Sequence, residues 1–215
     1  MRSRVALALV IALLLLAACS TTKGSGQLAT AQRTVSGFTK VELAGQGDIT
    51  IEQTGTESLT ISAEDNLLPL LTSDVACDTL VLGTKPNTSI VTTKPITYSL
   101  TVKELNGLAV SGSGTMSAPK LAATELSIKI SGSGTITVRG AVTDQDLEIS
   151  GSGRYEANEL TSKTVKARIS GSGNASVMAT DVLDVAISGS GSVTYSGNPQ
   201  VKQEISGSGE LIKNE

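Results

Sequence analysis

The sequence has no histidine, no tryptophan and a single phenylalanine, and aromatic residues make up only 2% of it. Without histidine there is no Ser-His or Cys-His pair to activate a nucleophile. With so few aromatic rings, stacking against sugars is a weak means of binding carbohydrate. The core must be built from Val, Ile, Leu and Ala, which suit thin strands better than a wide globule. Cysteine is also scarce, with only Cys19 and Cys77, so no disulfide framework can hold the fold. Acidic residues outnumber basic ones, 20 against 17. No basic stripe is present, which argues against a nucleic-acid partner.

One long apolar run is present, at the N-terminus. Arg2 and Arg4 precede Val5–Ala18, 14 residues without a charge. That length suits a signal peptide, residues 1–18, and is short for a membrane span. The run ends Leu16-Ala17-Ala18-Cys19, which resembles the lipobox of bacterial lipoproteins. The resemblance implies cleavage before Cys19, then acylation of its thiol and its new amino group. Several acyl chains, at about 0.8 kcal/mol per buried CH₂, would anchor the protein to a membrane. Ser20 in place of Asp resembles the choice that permits transfer to the outer membrane, so a lipid-anchored place in the cell envelope is expected. The plain alternative is an ordinary signal peptide followed by an unrelated cysteine. Removing residues 1–18 takes away two basic and no acidic residues, so the net charge of −3 becomes −5. Residues 19–34 then read as the lipidated cysteine and a flexible tether, reaching about 20 Å. Cys77 is left without a disulfide partner. In VACDTLVLG the alternation makes it a small buried hydrophobe, with a reactive thiol as the alternative.

The folded part is expected over residues 35–215, with irregular coils and a cap over 35–105. Val41, Leu43, Ile49 and Ile51 alternate on either side of the corner Ala44-Gly45-Gln46-Gly47. Asn66 is placed to cap a single helical turn containing Pro69. Lys85-Pro86-Asn87 reads as a turn.

Residues 106–215 are periodic. Ser-Gly-Ser-Gly begins at Ser111, Ser131, Ser150, Ser170, Ser188 and Ser206, spacings of 20, 19, 20, 18 and 18 residues. Val110, Ile130, Ile149, Ile169, Ile187 and Ile205 stand immediately before the six corners. Two residues earlier come Leu108, Ile128, Leu147, Ala167, Val185 and Gln203. Apolar residues follow each of the first five corners at fixed offsets, from Met116 and Ala118 to Val193 and Tyr195. Every unit is therefore strand, glycine corner, strand, with one apolar face. Hairpins would mirror the pattern in alternate units. The order repeats unmirrored, so equivalent strands stack in parallel, about 4.8 Å apart, as an all-β solenoid of roughly 18–20 residues per coil.

The outward columns add charge complementarity to this stacking. One column holds Lys129, Glu148 and Arg168. The other holds Asp146, Lys166, Asp184 and Lys202. Opposite charges meet on successive coils, which favours one register. These seven residues form a candidate surface ladder. At the corners, glycine accepts φ > 0 and brings no Cβ against the next coil. The serines are expected to bond local backbone or a serine one coil away. The alternative for the corner, a phosphate cradle, fits neither GxGxxG nor a P-loop.

The opening FTKVELAGQGDITIEQ, the segment SAEDNLLPLL and the units LAVSGSGTM and IKISGSGTITV resemble the bacterial family described as putative auto-transporter adhesin, head GIN domain. It is a domain of unknown function common in envelope proteins. The resemblance runs from about Val35 to the last residue. It implies a single-stranded right-handed parallel β-helix, and it brings no catalytic residue, cofactor or metal ligand with it.

Three functional readings follow. The first is a non-enzymatic envelope lipoprotein that binds, adheres or serves structurally, with an envelope protein or a polysaccharide as partner. The second is a polysaccharide lyase or hydrolase, by analogy with other β-helices. Asp144, Asp146 and Glu148 would then bind Ca²⁺ or act as acid and base. The third is self-association through the last coil, where Gln203 breaks the apolar column and Lys213 and Glu215 serve as charged edge protection.

Overall fold

Each glycine corner sits on the corner of the coil before it. In the computed structural model, which describes residues 20–214, the amide of the second serine donates to the second-position glycine of the preceding corner. Ser152 bonds the Gly132 carbonyl and Ser172 the Gly151 carbonyl, both at 2.8 Å. The residue after each corner repeats this one step on, with Asn174 donating to the Gly153 carbonyl at 3.0 Å. Gly171 has φ +117°, and a Cβ there would lie 2.6 Å from the Gly151 oxygen. Gly173 needs no unusual dihedral, but its Cβ would lie 2.5 Å from Cγ2 of Ile149. One glycine turns the chain; the other lets the apolar side chain below pack under the corner. Corner hydroxyls do not form the expected serine ladder. Among the described residues the one such hydroxyl with a bond is Ser111, donating to Glu42 at 3.0 Å. The backbone already supplies the inter-coil bonds, so the side chains are left to solvent.

The strands are β1 (Ser20–Lys23), β2 (Leu28–Arg33), β3 (Lys40–Leu43), β4 (Asp48–Gln53), β5 (Ser58–Glu64), β6 (Leu71–Ala76), β7 (Thr79–Thr84), β8 (Thr88–Val91) and β9 (Thr97–Val102). The regular coils follow as β10 (Gly107–Gly112), β11 (Thr115–Gly132), β12 (Thr135–Gly151), β13 (Arg154–Gly171), β14 (Asn174–Gly189), β15 (Ser192–Ser196), β16 (Gln200–Gly207) and β17 (Glu210–Lys213). Together they form a β-solenoid of about 5 turns. The strand leaving one corner runs on into the strand entering the next, so β11 is 18 residues long. A register shift after Ala118 marks its bend. The wall before the corners stacks β7, β3, β10, β11, β12, β13, β14 and β16 in parallel. The wall after them stacks β9, β4, β11, β12, β13, β14, β15 and β17. Ser131, Ser150, Ser170, Ser188 and Ser206 fall in one column.

Alternation along each strand fills the interior. In β12 the buried apolar residues are Ile136, Val138, Val142, Leu147 and Ile149. Each stabilises by roughly 1.5–3 kcal/mol, so one coil's interior outweighs all its surface ion pairs, at about 0.2–1 kcal/mol each. Three buried polar side chains interrupt this core as a closed set. Tyr155 donates to Gln145 Oε1 at 2.9 Å, and Gln145 donates in turn to Ser162. Burial pushes the Tyr155 hydroxyl far up, so it stays protonated. Its coil also carries the small buried residues Ala157 and Ala167.

The N-terminal part differs from the expected tether. Ser20 already belongs to β1, which pairs in parallel with β8, and β2 pairs antiparallel with β5. The polar composition of residues 20–33 hides a pairing made by backbone and by distant acceptors. The Glu64 carboxylate, covered by the thin layer of chain at Gly24, accepts from Gly26 N at 2.7 Å, Thr93 N at 2.9 Å and Thr93 Oγ1 at 2.6 Å. Asn66 does not cap the helical turn that follows it, a 3-10 turn at Leu68–Leu70. It bonds Lys23 O and Ser25 N instead. Cys77 is exposed rather than buried. Cys77 and Asp78, at φ 48° and 67°, form the two-residue turn between β6 and β7, where both central residues need positive φ. The turn at Pro86–Asn87 is as expected. The signal peptide, Cys19 and Glu215 lie outside the described residues.

Replacing Gly171 by Ala should cost roughly 2–4 kcal/mol in urea unfolding, from strain and overpacking together. Ser172→Ala should change stability by less than about 0.5 kcal/mol. For Glu64 the hydroxyl of Thr93, then the amides of Thr93, Gly26 and Lys94, hold the carboxyl down at about 2 against an ordinary 4.5. A depressed folded value means the unfolded chain binds the extra proton. The contribution of Glu64 is therefore complete above pH 4.5 and disappears as the pH falls from 4.5 to about 2. Thermal unfolding across that window should fall more steeply for the native chain than for Glu64→Gln.

Candidate functional site

The wall before the corners presents its outward residues as straight columns. Register places Ser127, Asp146, Lys166, Asp184 and Lys202 in one column, and Lys129, Glu148 and Arg168 in the next. The ion pairs connect these residues both along and across the columns. Lys129 meets Glu148 at 3.2 Å and Lys202 meets Asp184 at 3.5 Å, along columns as expected. Arg168 instead reaches diagonally to Asp146 at 3.1 Å. Its guanidinium is long enough for the i, j−2 position, and Lys129 already occupies Glu148. Lys166 makes no ion pair among the described residues.

A groove of about 720 Å³ opens where the first column is hollowed. Lys40, Gly107, Ser127 and Asp146 stack in succession. Gly107 and Ser127 are small, and the Lys40 stem lies over Gly107, where a Cβ would come within 2.9 Å of Cγ. Asp78, Glu125, Asp144 and Asp146 line the groove with Lys40 and Lys166. Lys40 and Asp78 pair at 3.3 Å. Lys40, Asp78 and Glu125 were not among the sequence-based candidates. The signal for Lys40 is present, because it stands four residues before Ala44 as Lys166 stands four before Ser170.

The groove offers carboxylates and ammonium groups at an open, polar surface. Asp144, Asp146 and Glu148 point outward in line along β12 rather than converging. Neighbours of this kind are about 6.6 Å apart, a spacing that also serves inverting hydrolysis. Yet Asp146 and Glu148 are each held by a cation and each is more than half exposed. Neither is set in the apolar surroundings that keep a general acid protonated. Among the described residues no three His, Cys, Asp or Glu side chains are grouped to hold a metal ion.

A family model described as "Putative auto-transporter adhesin, head GIN domain" matches residues 37–199. The chain belongs to this family. The crystal structure of a putative adhesin from Bacteroides fragilis is 26% identical, with TM-score 0.72, covering 90% of this chain and 99% of that one. A putative lipid binding protein from Parabacteroides distasonis is 24% identical, with TM-score 0.57, over 91% of this chain and 100% of that one. A putative adhesin from Parabacteroides merdae is 22% identical, also with TM-score 0.57, over 91% and 99%. The last two share the fold. No curated protein sequence matches the chain. The family and these neighbours are named as binding or adhesion proteins, not as enzymes.

A double-mutant cycle should place the coupling on the diagonal. Asp146→Ala with Arg168→Ala should show about 0.3–1 kcal/mol of interaction, falling with salt. Glu148→Ala with Arg168→Ala should show close to none.

Proposed function

We propose that the protein is a lipid-anchored envelope module that binds a polar partner, an envelope protein or a polysaccharide, on the charged wall of its solenoid and performs no chemistry on it. The observation that carries this reading is the groove over Lys40, Asp144, Asp146 and Lys166. It is wide, shallow and lined by groups of both signs, as a recognition surface requires. The solenoid interior is filled by side chains such as Ile128, Leu147 and Val185, so an acyl chain would have to attach outside it. Acylation at Cys19 supplies such an attachment. Ser20 stands in a strand that pairs with β8, which supports a fold held close to its anchor rather than on a long tether. The Ser after Cys19 favours the outer membrane.

Two measurements test this. Cells fed a palmitate analogue should label the native chain in the membrane fraction, while Cys19→Ser should lose the label and leave that fraction. Retention of Cys19→Ser with the membrane would refute the anchor. Photo-crosslinkers at Asp144 and Lys166 should capture a specific envelope component that a crosslinker at Glu159 does not. Depolymerisation of a polysaccharide by the Cys19→Ser chain, abolished by Asp146→Ala, would overturn the non-enzymatic reading.

A further inference from the structure

The two ends of the solenoid are finished differently. At the N-terminal end, β5 and β9 are antiparallel and carry β2, with the Glu64 carboxylate fastening the segment in front of β2. At the C-terminal end, β16 pairs on one edge with β14, and among the described residues nothing pairs with its other edge. Val201, Gln203 and Ile205 continue the interior columns of Leu183, Val185 and Ile187. Those three are buried, whereas Val201 and Ile205 are 41% and 37% exposed. An interior column thus ends in the open, with two apolar side chains showing.

The sequence of this strand is its own complement. Val201-Lys202-Gln203-Glu204-Ile205 read backwards is Ile-Glu-Gln-Lys-Val. An antiparallel pairing centred on Gln203 sets Val201 against Ile205, Lys202 against Glu204 and Gln203 against itself. Facing residues of an antiparallel pair share a side of the sheet. Apolar residues therefore meet on the interior side and opposite charges on the outer side, twice each. Glu204 makes no ion pair among the described residues, while Lys202 is held loosely by Asp184 at 3.5 Å and is 77% exposed. The N-terminal edge strand β6 offers no such match, since Asp74 is its single charged residue.

We propose that the C-terminal edge strand Gln200–Gly207 docks on the same strand of a second copy, joining two solenoids tail to tail about a two-fold axis at Gln203. The interface is isologous, so it closes as a dimer and does not propagate into fibres. Val201 and Ile205 of each copy are covered by those of the other, and the two interiors become continuous. This inference is independent of the lipid anchor and of the groove.

Charge reversal tests the geometry with the full chain in detergent. Sedimentation should show dimer for the native chain. Lys202→Glu and Glu204→Lys each put like charges opposite one another twice, and each should weaken dimerisation about tenfold or more. An equimolar mixture of the two variants should dimerise again, as should the double variant Lys202→Glu/Glu204→Lys. In a Cys77→Ser background, Gln203→Cys should form an intermolecular disulfide on mild oxidation, because facing Cβ atoms lie about 5 Å apart. The background chain alone should not. A native chain that stays monomeric, single variants that dimerise undiminished, a mixture that fails to recover, or a ladder of higher multimers would each overturn the proposal. So would capture of the edge by another protein in place of a second copy.

Discussion

The close approach of backbone at the corners governs the rest of the structure. From the second corner on, each corner amide reaches a glycine carbonyl of the coil before it at short hydrogen-bond distance, 2.8 Å at Ser152, Ser172 and Ser190. That contact leaves no room for a Cβ and fixes where successive coils sit. The walls then inherit their register from the corners. The interior columns, the outward charges and the position of the groove are consequences of stacking set at one edge of every coil. Six glycine pairs therefore recur because the same clash recurs, and the serines between them are free to be small and polar without bonding each other.

A fixed register makes surface chemistry additive along the axis. Columns of alternating charge cost little to build, and each pair is weak. Their effect on the surface depends on what interrupts them. Gly107 and Ser127 interrupt one column and create the groove between Lys40 and Asp146. Arg168 leans to Asp146, and the ammonium of Lys166 at the groove makes no ion pair among the described residues. The groove arises here from two small residues and one diagonal bond.

The regular coils were legible in the sequence because period and parity are properties of single positions. Once Ser131 stacks on Ser150, the residues of the wall before the corner follow back to the bend, including Lys129 on Glu148. Gln145 was legible by the same parity, being two residues before Leu147, yet its polar side chain conceals that it faces inward. The N-terminal part was harder for a different reason. Its pairings join segments far apart in sequence: Glu64 with Gly26 and Thr93, and Asn66 with Lys23. A carboxylate that accepts four distant donors leaves no local pattern, so residues 20–33 read as a polar tether. Cys77 differs through a local rule, since the two-residue turn it occupies shifts the parity, so that Leu80 and Leu82 face inward and not Val81. Which way Arg168 reaches is a matter of side-chain length, and column order alone does not decide it.

In a solenoid every coil covers the edge of its neighbour, so unpaired backbone exists only at the two ends. The ends are where such a fold must depart from its own repeat. Here one end departs strongly, with antiparallel strands, a 3-10 turn and a carboxylate clamp. The other hardly departs at all: β16 keeps the period, the corner and the interior parity of the coils before it. It changes only the side chains, placing Gln203 in the apolar column and Lys202 and Glu204 on either side of it outside. A strand meant to face water permanently would replace Val201 and Ile205 as well. Keeping those two apolar and flanking the centre with opposite charges makes the edge unfavourable to an unrelated strand and complementary to its own reverse. The same self-complementarity limits this contact to two copies, because an isologous pairing uses the β16 edge of both molecules at once.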